Sequence, residues 1–164
     1  MNKLTKVSIY FLSILLVCID QIIKFLVVRN LDKFPIQIIK NFINLNYCEN
    51  RGAAFSIGNG QVSLFIVLNI FLIGGLIIFY EKNKKEFNKF SKTSLIFIIS
   101  GGFSNLLDRI FRGFVVDYID VSEFIHFPVF NLADIFIVIG VIGLILLYIK
   151  ELFKNGNGDG SVFH

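Results

Sequence analysis

The sequence predicts a membrane α-helical protein: a four-helix transmembrane bundle with a small extracytoplasmic β-sheet or amphipathic segment. Its 164 residues are 55% hydrophobic and 17% charged, whereas soluble domains average about 45–50% apolar and about 25% charged residues. The mean hydropathy is +0.73. Four long apolar runs, at about 20 residues for each crossing, occupy near half of the chain and exclude a sizeable soluble domain.

The four apolar runs predict a single membrane domain over residues 1–154. The first run starts after Lys6 and ends at Asp20, and because no small-x-small cleavage site follows, we interpret it as an uncleaved helix. The second is the clearest, since no charged residue lies between Gly52 and Tyr80. The expected helices span about 7–28, 62–80, 93–111 and 131–149, followed by a flexible tail over 155–164.

Lysines at the ends of these runs predict the orientation of the chain. They precede the first helix, fill the loop between the second and third, and follow the fourth, so four crossings bring them to one face. The positive-inside rule makes that face cytoplasmic, with both termini inside and segments 29–61 and 112–130 outside. The lysines are Lys3, Lys6, Lys82, Lys84, Lys85, Lys89, Lys92, Lys150 and Lys154.

The net charge of +4 and the cysteine count exclude other classes of protein. Because the basic residues cluster beside apolar runs, their charge reflects topology and indicates no nucleic-acid partner. Cys18 and Cys48 form no C-x-x-C motif and cannot build a disulfide framework. With only His126 and His164 in addition, a zinc site lacks nitrogen and sulfur ligands. A metal held by carboxylates alone is an open alternative that no feature of the sequence supports, and we expect no metal and no cofactor.

Charged residues interrupt three of the spans near their extracytoplasmic ends. The first helix has only 13 uncharged residues before Asp20, about 20 Å of helix, so Asp20 and Lys24 must lie within or at the edge of the membrane. The third span ends on Asp108 and Arg109, and the fourth begins beside Asp134. Ionisable groups at this depth normally face the bundle interior or a wet cavity. Their convergence at one level predicts a functional site.

The segments outside the membrane carry the signature of strands. Residues 36–48 and 114–121 are rich in β-branched and aromatic side chains. In a strand, Val115, Asp117 and Ile119 point to one face. We expect a small sheet on the outer membrane surface, with an amphipathic piece in the interface.

Asp134 lies in the sequence F-N-L-A-D, at the start of the fourth helix. One interpretation is structural: Asn131 caps the helix, and an acid three residues later interacts with the helix N-terminus. The other requires a second carboxylate, which either Asp117 or Asp120 can supply. Two adjacent carboxylates cannot both ionise cheaply, so the pair holds a proton and can activate water while protonating a carbonyl or leaving group.

A polar stripe is predicted at the end of the third helix, where Asn105, Asp108, Arg109 and Arg112 recur at helical spacing. We interpret Asp108 as part of an ion pair that neutralises buried charge. Arg109 is suited to orient a substrate carbonyl or a catalytic aspartate.

Other polar and small residues have simpler interpretations. Asp20 and Lys24 form an i, i+4 pair whose charges neutralise each other. Asn50 opens a turn that leads to the second helix, and it carries both donors and acceptors for a peptide backbone. A face of small residues on the third helix favours close helix packing and comprises Ser100, Gly101 and Ser104.

The chain resembles the lipoprotein signal peptidases, the signal peptidase II family of bacterial intramembrane aspartic peptidases. The resemblance covers nearly the whole chain and rests on five motifs in order: D-Q-I-I-K at 20–24, N-R-G-A-A-F at 50–55, N-L-L-D-R at 105–109, V-V-D-Y-I-D at 115–120 and F-N-L-A-D at 130–134. Each motif is weak alone, but the ordered set is specific.

The resemblance implies an endopeptidase of the bacterial cytoplasmic membrane. It implies cleavage of diacylglyceryl-modified prolipoproteins just before the lipidated cysteine, with Asp117 and Asp134 as the catalytic dyad. It also implies that Asn50, Arg109 and Asn131 hold the substrate. The motif positions with structural or supporting roles are Asp20, Lys24, Asn105 and Asp108. The expected partners are prolipoproteins and membrane lipids, and the enzyme is expected to be a monomer.

Two rival functions belong to other classes of protein. A small transporter or proton-relay subunit predicts charges near the bilayer midplane and a path open to both sides, whereas the charges here cluster at one end. A purely structural membrane partner leaves the five polar motifs without a role. The sequence therefore favours the peptidase.

Overall fold

The computed structural model describes residues 3–30, 35–52 and 60–156, which contain four helices and three strands. The elements in chain order are α1 (Lys3–Asn30), β1 (Ile36–Ile39), β2 (Ile43–Asn50), α2 (Val62–Asn83), α3 (Lys89–Arg112), β3 (Val115–Asp120) and α4 (Leu132–Gly156). The shortest helix has 22 residues, about 33 Å at 1.5 Å per residue, and matches the hydrocarbon thickness of a bilayer. The predicted fold class, four membrane-spanning helices with a small sheet, is confirmed.

Helix α3 lies at the centre of the bundle and packs against α1, α2 and α4. Two glycines allow α3 and α4 to approach closely. A Cβ added at Gly101 would lie 2.3 Å from the Ala133 carbonyl oxygen, and one added at Gly140 would lie 2.5 Å from the Ser94 carbonyl oxygen. The outer surfaces of the helices expose mainly large apolar side chains, as expected for contact with lipid.

The sheet is antiparallel with the order β1-β2-β3 and lies where α3 ends and α4 begins. Gly113 adopts a left-handed conformation with φ 78° after the last residue of α3, which glycine adopts without steric cost and which reverses the chain directly into β3. The register pairs Cys48 with Asp117 and Asn50 with Val115. This register sets Asn50 beside the strand that carries Asp117.

A short hydrophobic core fixes the sheet to the bundle. Val27 of α1 packs with Val116 and Tyr118 of β3. Phe130 exchanges two backbone hydrogen bonds with Ile119, so the chain enters α4 beside β3. The expected amphipathic segment stays a prediction, because residues 31–34 and 53–59, which flank the first two strands, lie outside the described residues. Of the predicted flexible tail over 155–164, residues 155 and 156 belong to α4 and the others lie outside the described residues.

Candidate active site

Asp117 and Asp134 line one cavity at the sheet end of the bundle. The cavity has a volume of about 500 Å³, and Asn50, Asn105 and Arg109 also line it. Asp117 is 2% exposed and comes from β3, whereas Asp134 comes from the first turn of α4. Asp120, the other candidate, is an odd number of residues along β3 and therefore faces the opposite side of the sheet, where it accepts a hydrogen bond from the Ser122 amide.

Asn131 bridges the two carboxylates. Its Nδ2 donates to Asp117 Oδ1 at 2.6 Å and to Asn105 Oδ1 at 3.2 Å. Its backbone N–H donates to Asp134 Oδ2 at 3.1 Å, and its Oδ1 accepts from the Asp134 N–H at 3.0 Å. The reciprocal pair is a capping box. Helix capping and pairing of the carboxylates, considered as alternatives from the sequence, therefore coexist in one set of contacts.

Amide groups complete the environment of both carboxylates. Asn50 Nδ2 donates to Asp117 Oδ2 at 2.9 Å, while its Oδ1 accepts from the Gly52 N–H at 3.0 Å. Asn105 Nδ2 donates to Asp134 Oδ1 at 2.8 Å. Each carboxylate thus accepts two hydrogen bonds from neutral N–H donors, which orient it without neutralising its charge.

The pKa of Asp117 is raised from 3.8 to about 7. Burial is the main cause, because it penalises the charged form, and the negative charge of Asp134 adds to it. The hydrogen bonds from Asn50 and Asn131 oppose the rise. The carboxyl of Asp117 therefore holds its proton up to about neutral pH.

Arg109 and Asp108 are adjacent in sequence but face different surroundings. Arg109 lines the cavity, donates to the Gly52 carbonyl oxygen at 2.9 Å and lies over the Phe65 ring at 5.6 Å. Asp108 points into the bundle, where it forms salt bridges with Lys24 and Arg112. The predicted polar stripe therefore divides into a cavity side and a buried side, because successive helical residues differ by about 100° around the axis.

A buried ion network lies behind the cavity and consists of Asp20, Lys24, Asp108 and Arg112. The first three have no exposed surface. Lys24 Nζ lies 2.8 Å from Asp20 Oδ2 and 3.0 Å from Asp108 Oδ2. The mutual neutralisation expected for Asp20 and Lys24 is present, and Asp108 joins the same network as a second counter-ion.

The ion network also holds the backbone beside each carboxylate of the cavity. Asp20 Oδ1 accepts from the Ala133 N–H at 3.0 Å, one residue before Asp134. Asp108 Oδ2 accepts from the Val116 N–H at 3.1 Å, one residue before Asp117. Lys24 Nζ further donates to Asn105 Oδ1 at 2.8 Å. The network is therefore connected to both sides of the site.

The sequence interpretation missed the polar roles of Gln21 and Ser104. Ser104, expected to serve helix packing, donates from Oγ to Asp20 Oδ2 at 2.6 Å. Gln21 Nε2 donates to Ser104 Oγ at 2.9 Å and to Asp108 Oδ1 at 3.1 Å. The spacing of Ser104 and Asp108, one helical turn apart, was the available signal. Among the described residues, every buried side-chain nitrogen and oxygen has a partner.

Fold and site together define a class: a multi-pass membrane enzyme whose cavity contains paired carboxylates. Comparison with known proteins gives the particular family. The chain belongs to the signal peptidase II family, because the family model described as signal peptidase (SPase) II matches residues 12–150. It is therefore a peptidase of lipoprotein processing, and the proton-relay and purely structural alternatives are set aside.

Similar proteins cover almost the whole chain. A lipoprotein signal peptidase of Halothermothrix orenii is 41% identical over 150 residues, which cover 91% of this chain and 99% of the relative. A lipoprotein signal peptidase of Streptococcus thermophilus strain CNRZ 1066 is 39% identical over 153 residues, which cover 93% of this chain and 97% of the relative. A bacterial membrane enzyme solved by the in meso method at 2.3 Å is 28% identical with a TM-score of 0.81, covering 96% of this chain and 94% of that chain.

Proposed function

We propose that this peptidase removes the signal peptide from diacylglyceryl-modified prolipoproteins, cleaving just before the lipidated cysteine, with Asp117 and Asp134 as catalytic residues. The observation that carries the proposal is the carboxylate pair itself: two acids from different elements, bridged by Asn131 and lining one cavity. Aspartic peptidases require such a pair to share one proton.

In this mechanism the pair activates water between its two members. The ionised carboxylate accepts a proton from water, whose oxygen attacks the scissile carbonyl carbon, while the protonated carboxyl donates to the carbonyl oxygen. The carboxyl that took the proton from water then donates it to the amine nitrogen as the C–N bond breaks. The other carboxylate takes a proton back from a hydroxyl of the tetrahedral intermediate, so the pair again holds one proton. The pKa of about 7 for Asp117 supports a pair that retains one proton at neutral pH.

Asn50 and Arg109 are the candidates for contact with the substrate peptide, since both line the cavity. Arg109 uses one amino group on Gly52, and a guanidinium has further N–H donors that suit a peptide carbonyl. Asn131 has no exposed surface, and both of its Nδ2 contacts are to site residues. We therefore assign Asn131 to orienting the carboxylates rather than to direct substrate contact.

The cavity wall suits a substrate anchored by acyl chains. From Asp134 it continues along α4 past Ile135, Val138 and Ile139, and the last two are more than half exposed on the outside of the bundle. Removing an acyl chain from the bilayer costs about 0.8 kcal/mol per CH₂, so a diacylglyceryl group is best bound while it stays in contact with lipid. Because the described part of this one chain supplies both carboxylates and the cavity, we propose that a monomer is active.

We place the enzyme in the cytoplasmic membrane with both termini cytoplasmic and the carboxylate pair near the extracytoplasmic surface. The support is the distribution of charge. The lysine-rich link between α2 and α3 lies at the start of α3, and the residues of the cavity lie at its other end. Positive residues favour the cytoplasmic face.

The test is a gel-shift cleavage assay in detergent with lipidated and unlipidated prolipoprotein. We expect cleavage of the lipidated form alone, and a loss of about 10²–10⁴-fold or more in rate for Asp117→Asn and for Asp134→Asn. Asp120→Asn is the matched control, because it removes a neighbouring carboxylate from the opposite face of β3 and should leave cleavage intact. Substantial activity in either dyad variant would refute the assignment, and cleavage of both substrates would refute the lipid requirement.

A further inference from the structure

We propose that Lys24 is a positioning residue for Asp117 and Asp134, acting through Asn105 and through the two chain segments that carry the carboxylates. The inference rests on the proposed function, because it concerns the same pair. Lys24 is fully buried and does not line the cavity. It therefore influences the reaction without touching the substrate.

The first effect of Lys24 is on the orientation of the Asn105 amide. An ammonium has three donors and no acceptor, and the three contacts of Lys24 Nζ are with Asp20, Asp108 and Asn105 Oδ1. Asn105 must therefore turn its oxygen toward Lys24 and its Nδ2 toward Asp134. Asn131 Nδ2 also donates to Asn105 Oδ1, but at 3.2 Å, whereas the contact of Lys24 is at 2.8 Å and carries a charge. Without Lys24 the Asn105 amide keeps only the longer, neutral contact and is held less firmly toward Asp134.

The second effect is mechanical. Asp20 accepts a hydrogen bond from the backbone N–H of Ala133, one residue before Asp134. Asp108 accepts one from the backbone N–H of Val116, one residue before Asp117. Lys24 is the ion that both aspartates share. The shortest chain of contacts from Ala133 to Val116 runs through its ammonium, and a longer, uncharged one runs through Ser104 and Gln21. Lys24 is therefore the charged link between the start of α4 and β3.

Charge balance separates this role from simple neutralisation. The ion network contains two carboxylates and two cations, since Arg112 pairs with Asp108, so its formal charge is zero. Removing Lys24 alone leaves a buried carboxylate uncompensated, which destabilises proteins strongly. The double variant Lys24→Met with Asp20→Asn removes one charge of each sign and leaves Asp108 paired with Arg112.

The double variant provides the test, in the cleavage assay with a lipidated substrate. We expect it to unfold near the wild-type temperature in detergent and to keep the wild-type KM. Its kcat should fall about 10²-fold, the scale of a misplacement of about 1 Å in a reacting group. Wild-type kcat in the folded double variant would overturn the inference and leave Lys24 as a balancing charge.

Two further variants keep the test decisive. Asp20→Asn alone leaves one excess cation in the network and weakens the link to Ala133, so we expect a lower unfolding temperature and some loss of kcat. Lys24 still contacts Asn105 and Asp108 in this variant, so it should retain more kcat than the double variant; equal losses would assign the effect to Asp20 and overturn the inference. Lys24→Arg keeps the positive charge, but a planar guanidinium cannot direct its donors to the same three oxygens. The kcat of this variant should therefore fall as well, and a wild-type kcat would overturn the inference. Absence of cleavage by the wild type would instead refute the proposed function.

Discussion

Replacing Asp117 by Asn should remove a titration that weakens the folded protein as the pH rises. The pKa of this carboxyl is about 7 in the folded chain, against an ordinary value of 3.8. Between these values the folded protein keeps a proton that the unfolded chain has released. Stability rises with pH only where the unfolded state binds more protons, so here it falls.

The size of the effect follows from the pKa difference. About three pKa units at 1.36 kcal/mol each correspond to about 4 kcal/mol, lost between about pH 4 and pH 7 and constant above that range. The Asn variant does not titrate at this position. The side-chain amide of the variant does set an N–H donor against the Nδ2 donor of Asn50 or Asn131. This loss of a hydrogen bond lowers the free energy of unfolding by about 1–3 kcal/mol at every pH.

The measurement is the free energy of unfolding in detergent for wild type and Asp117→Asn between pH 4 and pH 8. The difference between the two should change by as much as about 4 kcal/mol in favour of the variant as the pH rises, because other titrating groups are common to both. Asp120→Asn is the control. Hydrogen bonds from Ser122 hold the pKa of Asp120 below its usual value, so its replacement should show no gain with rising pH. A flat difference for Asp117→Asn would refute the protonated state of Asp117.

Two predictions concern the bundle and its orientation. Gly101→Ala should destabilise the protein by about 1–3 kcal/mol through overpacking, since its Cβ would lie 2.3 Å from the Ala133 carbonyl oxygen. Gly74→Ala is the control and should be neutral or slightly stabilising, because a Cβ there would have nothing within 4 Å. Equal unfolding temperatures for the two variants would contradict the close approach of α3 and α4. The orientation is tested with single cysteines in a protein from which Cys18 and Cys48 have been removed. Lys85→Cys should react with a membrane-impermeant thiol reagent only from the cytoplasmic side, and Glu123→Cys only from outside. The reverse pattern would contradict the proposed topology.

The contacts that build the site join residues far apart in the chain. Asp20 reaches Ala133 across 113 positions, and Lys24 reaches Asn105 across 81. Sequence spacing placed these residues at the same membrane level, because depth follows from the length of each apolar run. It could not say which of them meet, since rotation about each helix axis is set by packing against its neighbours.

The sequence by itself determined the membrane class, the four spans and the small sheet, because hydropathy, β-branched composition and the length of a crossing are local properties. Spacing alone left Asp117 and Asp120 equivalent as partners of Asp134, and within the sequence only the resemblance to a family favoured Asp117. The tertiary structure sets Asp117 in the cavity with Asp134 and leaves Asp120 on the opposite face of the sheet. The tertiary structure separated Asp108 from Arg109 and gave Ser104 a polar partner. It also joined Lys24 to both sides of the cavity. These outcomes depend on which polar groups satisfy one another inside the bundle, where each desolvated donor or acceptor must find a partner on another element.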